Sequence, residues 1–321
     1  MSTSRRRPAL PVADEIALLL PDHPSSSKVV DTHTHIALTY EMYRKHYRDG
    51  RYRNMHDFVR GMYGGRQVEA VVDVWCEAPV RKEWKEYADS ALTVEDRARL
   101  WGGTEYWFVM GVHPHSSKSY NDRVENDIIK AMTHPRCVGW GEVGLDYHYD
   151  YSPRDVQQRV FARQLQLAVK FRKPITIHTR EADEDTERIL KENVPSDHKI
   201  HLHCFTDSPD FAGRLLEHFP NLYVGITGVI TYSSNRNTSK VVHDMTAPSS
   251  TQTFRILLET DAPFMTPSNL PKASGKRPLC HSAMIPWTAD FVAKRAMAHS
   301  SWDANDVMEH ARRNAKFVYG I

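Results

Sequence analysis

The chain has 321 residues, 40 % of them hydrophobic and 26 % charged, enough to bury a core and too apolar for a disordered or fibrous polymer. Forty-two basic side chains against forty acidic ones leave a net charge of +2, so no global field announces a nucleic-acid binder. Mean hydropathy is −0.55, and no apolar run approaches the ~18 residues of a membrane span, so no membrane association is expected.

Residues 1–27 read as a polar, loosely packed extension. Its arginines at 5–7 form a basic tail compatible with nuclear import, and no signal-peptide core follows them. Four cysteines (Cys76, Cys137, Cys204, Cys280) lack CxxC spacing and suit a reduced compartment, so an intracellular protein, cytoplasmic or nuclear, is expected. Residues 28–321 form one domain, without repeat or linker.

From residue 28 short apolar or β-branched runs alternate with longer segments of helical period. Strands are predicted at 28–35, 68–76, 106–113, 137–145, 174–179, 199–205, 222–228 and 255–261. Ser152-Pro153-Arg154-Asp155 reads as a capping box with an N1 proline, ahead of an apolar stripe through Val156, Val160, Phe161, Leu165 and Ala168. Asp207-Ser208-Pro209 opens a helix that stops at Pro220. Further helices are predicted at 80–99, 119–133, 181–193, 283–298 and 303–317. Eight strands separated by helices are the arithmetic of a (β/α)8 barrel of TIM type. The rival, an open doubly wound sheet, lacks its phosphate-binding signature: there is no GxGxxG after a strand and no GxxxxGK[ST].

In such a barrel the active site lies where strands end. There the chain places His33 and His35 (strand one), His113 (three), Glu142 (four), His178 (five), His203 (six) and Asp261 (eight), out of eighteen histidines in all. One histidine after a strand is ordinarily a structural residue, and an aspartate before Ala-Pro an ordinary turn former. Four histidines (His33, His35, His178 and His203) and two carboxylates on one rim are different, because so many buried polar groups are costly unless something binds them. Two divalent cations meet that need: zinc, manganese or nickel, or magnesium in a water-rich site. With two such ions and a hydroxide the cluster keeps a charge near +1, which favours an anionic substrate such as a phosphodiester without excluding a neutral ester or amide. His201 lies one layer deeper and supports a ligand from beneath or packs in the core, and Asp31 invites the reading of a carboxylate that orients His33.

DTHTH (31–35), GVHPH (111–115), GEVGLDY (141–147), PITIHTR (174–180), HCF (203–205) and ETDAP (259–263) resemble, in order, the motifs of the TatD-type metal-dependent hydrolases, which belong to the amidohydrolase-like barrels. Asn314 and Phe317 are similar to the family's closing helix, and HCFTDSP, WCEAP and CHSAMIPW resemble a fungal branch more than the bacterial type. The resemblance implies that His33, His35, Glu142 and Asp261 hold one metal, and that Glu142 bridges to a second held by His178 and His203. It also implies divalent-metal-dependent deoxyribonuclease activity, often 3′ to 5′ exonucleolytic, on single-stranded DNA or 3′ ends. A related branch bridges its metals with a carboxylated lysine; Glu142 stands here with no lysine nearby. Two segments depart from the family pattern: Thr206-Asp207-Ser208 after HCF, and 275–287 after ETDAP.

The expected mechanism is in-line attack on phosphorus by a metal-activated water, with Asp261 taking its proton and Glu142 setting the metal separation. His113 and Arg180 are candidate phosphate contacts, against a turn-capping role for His113 and an Arg180 pairing with Glu181 or Asp183. Asp146 and Tyr147 either line the pocket or form the turn after strand four. Segment 41–56 interleaves Arg44, Lys45, Arg48, Arg51 and Arg53 with Tyr43, Tyr47 and Tyr52, the mixture of a single-strand groove or of a solvated amphipathic insert. A hydrolase of small esters, amides or phosphoesters on the same site is one alternative. A second is an interaction protein that keeps the barrel within a larger assembly. Metal identity, polarity and oligomeric state are not encoded legibly.

Overall fold

The computed structural model describes residues 15, 18, 23, 25–247, 250, 253–271, 278–297 and 301–321. The arginines at 5–7, most of the 1–27 extension and part of the departing 275–287 segment lie outside them. Among the described residues no helix is long and apolar enough to cross a membrane.

Eight parallel strands pair in sequence order: β1 Val29–Thr34, β2 Val68–Trp75, β3 Glu105–Met110, β4 Cys137–Asp146, β5 Ile175–Arg180, β6 Ile200–Leu202, β7 Leu222–Ile226 and β8 Ile256–Leu258. The predicted strands are all present, with β6 and β8 shortened to three residues each. The sheet closes through a bridge between Thr34 and Ala262, making the predicted TIM-type barrel. Two backbone hydrogen bonds reinforce that seam, from the Asp261 N–H to the His33 carbonyl (2.9 Å) and from the His35 N–H to the Ala262 carbonyl (2.9 Å).

Helices α1 (Ile36–His46) and α2 (Met55–Tyr63) follow β1, and α3 (Glu83–Asp89) and α4 (Val94–Leu100) follow β2. The single helix predicted at 80–99 is thus two. It ends at Ser90, and Thr93 starts another by accepting the Asp96 N–H. Next come α5 (Asp122–Ala131), α6 (Arg154–Lys170), α7 (Asp183–Asn193), α8 (Pro209–His218), α9 (Asn237–Thr246), α10 (Ile285–Phe291) and α11 (Ala304–Tyr319). The helix predicted at 283–298 is a 3-10 turn, then α10, then a π-helical stretch at Val292–Ala296.

Ser152 does not cap α6. Pro153 takes the cap position, and the Ser152 hydroxyl donates to the His115 carbonyl and accepts the Lys118 N–H, tying the β3 connection to the β4 connection. The buried face of α6 also carries two glutamines absent from the expected stripe. Gln164 brackets Val112 (2.8 and 3.1 Å) and Gln157 brackets Asp146 (2.9 and 3.1 Å), so each satisfies the polar backbone at the mouth end of β3 or β4.

Helix α11 closes the other end of the barrel. Its Val318 and Tyr319 pack with Val30, Val72, Val109, Val138 and Leu257, and Asn314 donates to the Phe254 and Ile256 carbonyls. The Tyr319 hydroxyl bonds Thr176 and the His201 Nδ1, both at 2.8 Å, and the His201 Nε2 lies 2.9 Å from a Glu259 carboxylate oxygen. Gly225 on β7 makes room for that buried pair, since a Cβ there would lie 2.4 Å from Glu259 Oε1 and 2.6 Å from His201 Nε2. Gly225→Ala is therefore expected to lower the unfolding free energy by ~1–3 kcal/mol, read from urea denaturation, as overpacked cores do.

Candidate metal centre

Glu142 is 3 % exposed and lies inside the barrel mouth, four residues before β4 ends. Its neighbour Gly144 has φ of +150°, and a Cβ there would stand 1.8 Å from the His178 carbonyl oxygen, so glycine alone lets β4 and β5 approach this closely. Four imidazoles converge on Glu142. His178 Nδ1 is 2.9 Å and His203 Nε2 3.2 Å from Oε1, His113 Nε2 is 3.6 Å from Oε1, and His33 Nε2 is 3.4 Å from Oε2. Asp261, held in the left-handed region at φ of +51°, turns Oδ1 to His35 Nε2 (3.4 Å) and His33 Nε2 (3.8 Å).

The six expected ligands, His33, His35, Glu142, His178, His203 and Asp261, are therefore together. Donor atoms fall into overlapping groups, His33–His35–Glu142, His113–Glu142–His178, His33–His203–Glu259 and His203–Cys204–Asp261, so His113, expected to act on the substrate phosphate or to cap a turn, also lies among the metal-binding donors. His113 also caps the turn Pro114–Ser119 by accepting the His115 N–H on Nδ1.

The donor set fits divalent cations. His33 is fully buried, yet neither of its ring nitrogens has a hydrogen-bond partner, and Nε2 faces two carboxylates. Burial, with the charge of His203 beside it, lowers its pKa to about 4, so the ring is neutral and its nitrogens are available to a metal. Burial by itself would raise the Glu142 pKa, but His203, His113 and His178 outweigh it and hold the carboxyl well below the usual range.

Behind this cluster stands Glu259, which sequence reading passed over in favour of Asp261 two residues on. Its Oε1 is 3.4 Å from His203 Nδ1 and accepts the Cys204 N–H, and its Oε2 meets His201. Tyr319, His201, Glu259, His203 and Glu142 thus form a polar column down the barrel. The Glu259 carboxylate stands behind the His203 ring, on the side away from Glu142. His201 occupies the deeper layer expected of it. Asp31 does not orient the His33 ring. It accepts the His33 backbone N–H (3.2 Å) and binds the Thr260 N–H (3.0 Å) and hydroxyl (2.6 Å), so it locks the seam.

The expected substrate contacts scatter more. Arg180 places its guanidinium 5.0 Å above the Tyr149 ring. Tyr147 is anchored by its hydroxyl to Asp185 (2.7 Å) and Gln158 (2.7 Å), between α7 and α6, with Arg154 over its ring. In segment 41–56, Arg48 and Arg51 are exposed, but the Arg51 backbone and side chain both meet Glu15, and Arg44 is consumed by the Arg48, Gly50 and Tyr52 carbonyls. Tyr43 and Tyr52 are buried against Phe58, so these two rings are not available to stack on bases.

The family model described as TatD related DNase matches residues 30–320. The chain belongs to this family. It is 45 % identical over 168 residues to the human 3′-5′ RNA nuclease TATDN2, a match that covers 52 % of this chain and 21 % of that much longer relative. It is 38 % identical over 223 residues to the metal-dependent hydrolase YabD of Bacillus subtilis (68 % of this chain, 80 % of that one). Over 216 residues it is 31 % identical to the 3′-5′ ssDNA/RNA exonuclease TatD of Escherichia coli (67 % and 78 %). Among solved structures, the TatD homologue YjjV of E. coli superposes with a TM-score of 0.67 at 20 % identity, covering 91 % of this chain and 98 % of that one. A TatD family hydrolase of Entamoeba histolytica superposes at 0.69 and 17 %, covering 92 % and 99 %. These two share the barrel.

Of the departing 206–208 segment, Ser208 caps α8 by accepting the Phe211 N–H. Asp207 has one buried carboxylate oxygen with no hydrogen-bond partner. Burial, with Asp183 adding repulsion, pushes its pKa up to about 7 from an ordinary 3.8. An acid whose folded pKa is raised contributes stability below the unfolded value and loses it as pH climbs through the folded one. Asp207→Asn is therefore expected to be more stable than the wild type at pH 8, on the order of 2 kcal/mol, with the gap closing toward pH 5 in urea melts.

Proposed function

We propose that this protein is a divalent-metal-dependent nuclease that hydrolyses phosphodiester bonds at the 3′ end of single-stranded nucleic acid. The observation that carries the reading is the convergence of His33, His35, Glu142, His178, His203 and Asp261 at the barrel mouth of a TatD-family chain. Relatives that bear the names of 3′-5′ nucleases supply the polarity.

His33, His35, Glu142 and Asp261 would hold one ion, and Glu142, His178 and His203 a second, of magnesium, manganese or zinc. Such ions, when bound, supply Lewis-acid polarisation of the phosphoryl group and an acidified water. The chain's own residues do the rest. Asp261 keeps Oδ1 toward His33 and His35, and we assign its second oxygen to take the proton of the attacking water. Attack on phosphorus breaks the P–O3′ bond, releases a 5′-mononucleotide, and leaves the proton on the new 3′-hydroxyl. His203 lies between two carboxylates, Glu142 Oε1 3.2 Å from its Nε2 and Glu259 Oε1 3.4 Å from its Nδ1, which keep it directed into the cluster. Arg180 is the cation we assign to the phosphate backbone. His113, half-buried and with its pKa held well below the usual value chiefly by desolvation, serves the cluster as a neutral donor rather than as a charge.

The test is release of nucleotides from 3′-labelled single-stranded DNA and RNA with magnesium or manganese. Wild type is expected to release them, chelation to stop the reaction and added metal to restore it. Asp261→Asn is expected to lower kcat ~10²–10⁴-fold. No release from folded, metal-loaded protein on either polymer would move the assignment to a small phosphoester, ester or amide.

A further inference from the structure

The connection between β4 and α6 carries two rings that the catalytic cluster does not use. Tyr149 and Tyr151 are 39 % and 56 % exposed, lie within 3° of parallel, and have centroids 5.5 Å apart. Soluble proteins expose large rings singly and without order; a parallel exposed pair is a different arrangement. Among the described residues the other large exposed apolar side chains are Leu92, Val94, Phe264 and Phe317. Of these Phe264 alone follows a catalytic-face strand end, its N–H bonding the Asp261 carbonyl.

The turn that carries the pair is hydrogen-bonded at its start. Asp146 Oδ1 accepts the backbone N–H groups of His148 (3.0 Å) and Tyr149 (2.9 Å), which fixes the turn. The other oxygen of the same carboxylate meets His115 Nε2 (2.9 Å) and His178 Nε2 (3.2 Å). The His115 ring in turn stands edge-on to Tyr149 (5.6 Å) and Tyr151 (4.8 Å). One carboxylate therefore joins the tyrosine pair to a ligand of the candidate metal centre. Arg180, at the end of the neighbouring strand, lies over Tyr149 and adds a cation to the same surface.

We propose that Tyr149 and Tyr151, with Arg180, form a stacking platform for the bases of a single-stranded polynucleotide whose 3′ end enters the histidine–carboxylate cluster. The inference rests on the nuclease reading above and names how that site would hold its substrate. Every base offers a π-face, so tyrosine stacking holds a strand whatever its sequence, while a guanidinium serves the backbone. A duplex hides those faces, so the platform selects single strands.

The experiment compares Tyr149→Ala, Tyr151→Ala and their Phe counterparts on two substrates. One is a 3′-labelled single-stranded oligonucleotide; the other is methyl p-nitrophenyl phosphate, a diester too small to span cluster and platform. Each alanine variant is expected to lose about ten-fold more kcat/KM on the oligonucleotide than on the small diester, chiefly through KM, and phenylalanine to restore most of it. Quenching of a 2-aminopurine base near the 3′ end, measured in chelator so that nothing is cleaved, is expected to weaken in the same two alanine variants. Equal losses on both substrates, or unchanged KM and quenching, would overturn the platform while leaving the nuclease standing. Hydrolysis of the small diester by wild type with no polynucleotide cleavage would overturn both.

Discussion

The barrel seam is the constraint on which the centre depends. Asp31 and Thr260 lie 229 residues apart in sequence and are joined by a 2.6 Å hydrogen bond. Around that bond the backbone of β1 and the residues after β8 pair so that His33, His35 and Asp261 become neighbours. Asp31 is fully buried, and desolvation, only partly offset by its bonds to Thr260, Ser282 and the His33 backbone, pushes its pKa up to about 7. The seam is thus made from groups that would be costly to bury in any other arrangement. Half of the expected ligand set exists as a cluster only once the last strand has closed on the first. Any ion that bridges these residues then binds the closed barrel and not the unfolded chain, and so it stabilises closure by mass action.

The second constraint is electrostatic. Glu142 and Glu259 are buried, and each is surrounded by imidazoles at 2.9–3.6 Å. Burial pulls a carboxyl toward its neutral form, and here the surrounding histidines win, so that both acids are held ionised. The histidines divide accordingly. His178, against burial, is pushed up to about 9 by its bonds to Asp146 and Glu142, whereas His33 falls to about 4. The column ends on Tyr319 at the opposite end of the barrel, so α11 is part of the support of the centre and not merely its lid.

How much of this could be read from the chain follows from the physics of each signal. Buried parallel strands announce themselves as apolar runs, and a polar residue at a strand end stands out at a known phase of that pattern; the placement of His178 and His203 at the barrel mouth was legible for this reason. Glu259 was not, because ETD offers two carboxylates and spacing cannot say which faces an open site and which a histidine from behind. Gln157 and Gln164 were invisible to hydrophobic periodicity, since they are polar residues on a buried face whose partners are backbone groups of other strands. In 41–56 the alternation of cations and tyrosines has one appearance for a strand-binding groove and for an amphipathic insert that buries Tyr43 on α1 and Tyr52 in the connection to α2; tertiary packing decided it. Ser152 and Thr93 show the same limit for caps. Both have the right chemistry, and only Thr93 lacks a better partner.

The proposed chemistry and the proposed stacking platform therefore rest on different kinds of structure. The candidate ligands lie on or just beyond strands whose register is fixed by neighbours on both sides, where a small displacement would break several bonds at once. Arg180 ends β5, two residues past His178, while Tyr149 and Tyr151 lie in a water-facing turn that meets the centre through the Asp146 carboxylate and the His115 ring. Any shift of the Asp146 carboxylate moves its contacts with the turn, with His115 and with His178 together. A substitution in the rings is accordingly expected to leave the histidine–carboxylate cluster in place, whereas substitution of Asp146 removes contacts to the turn, to His115 and to His178 at once.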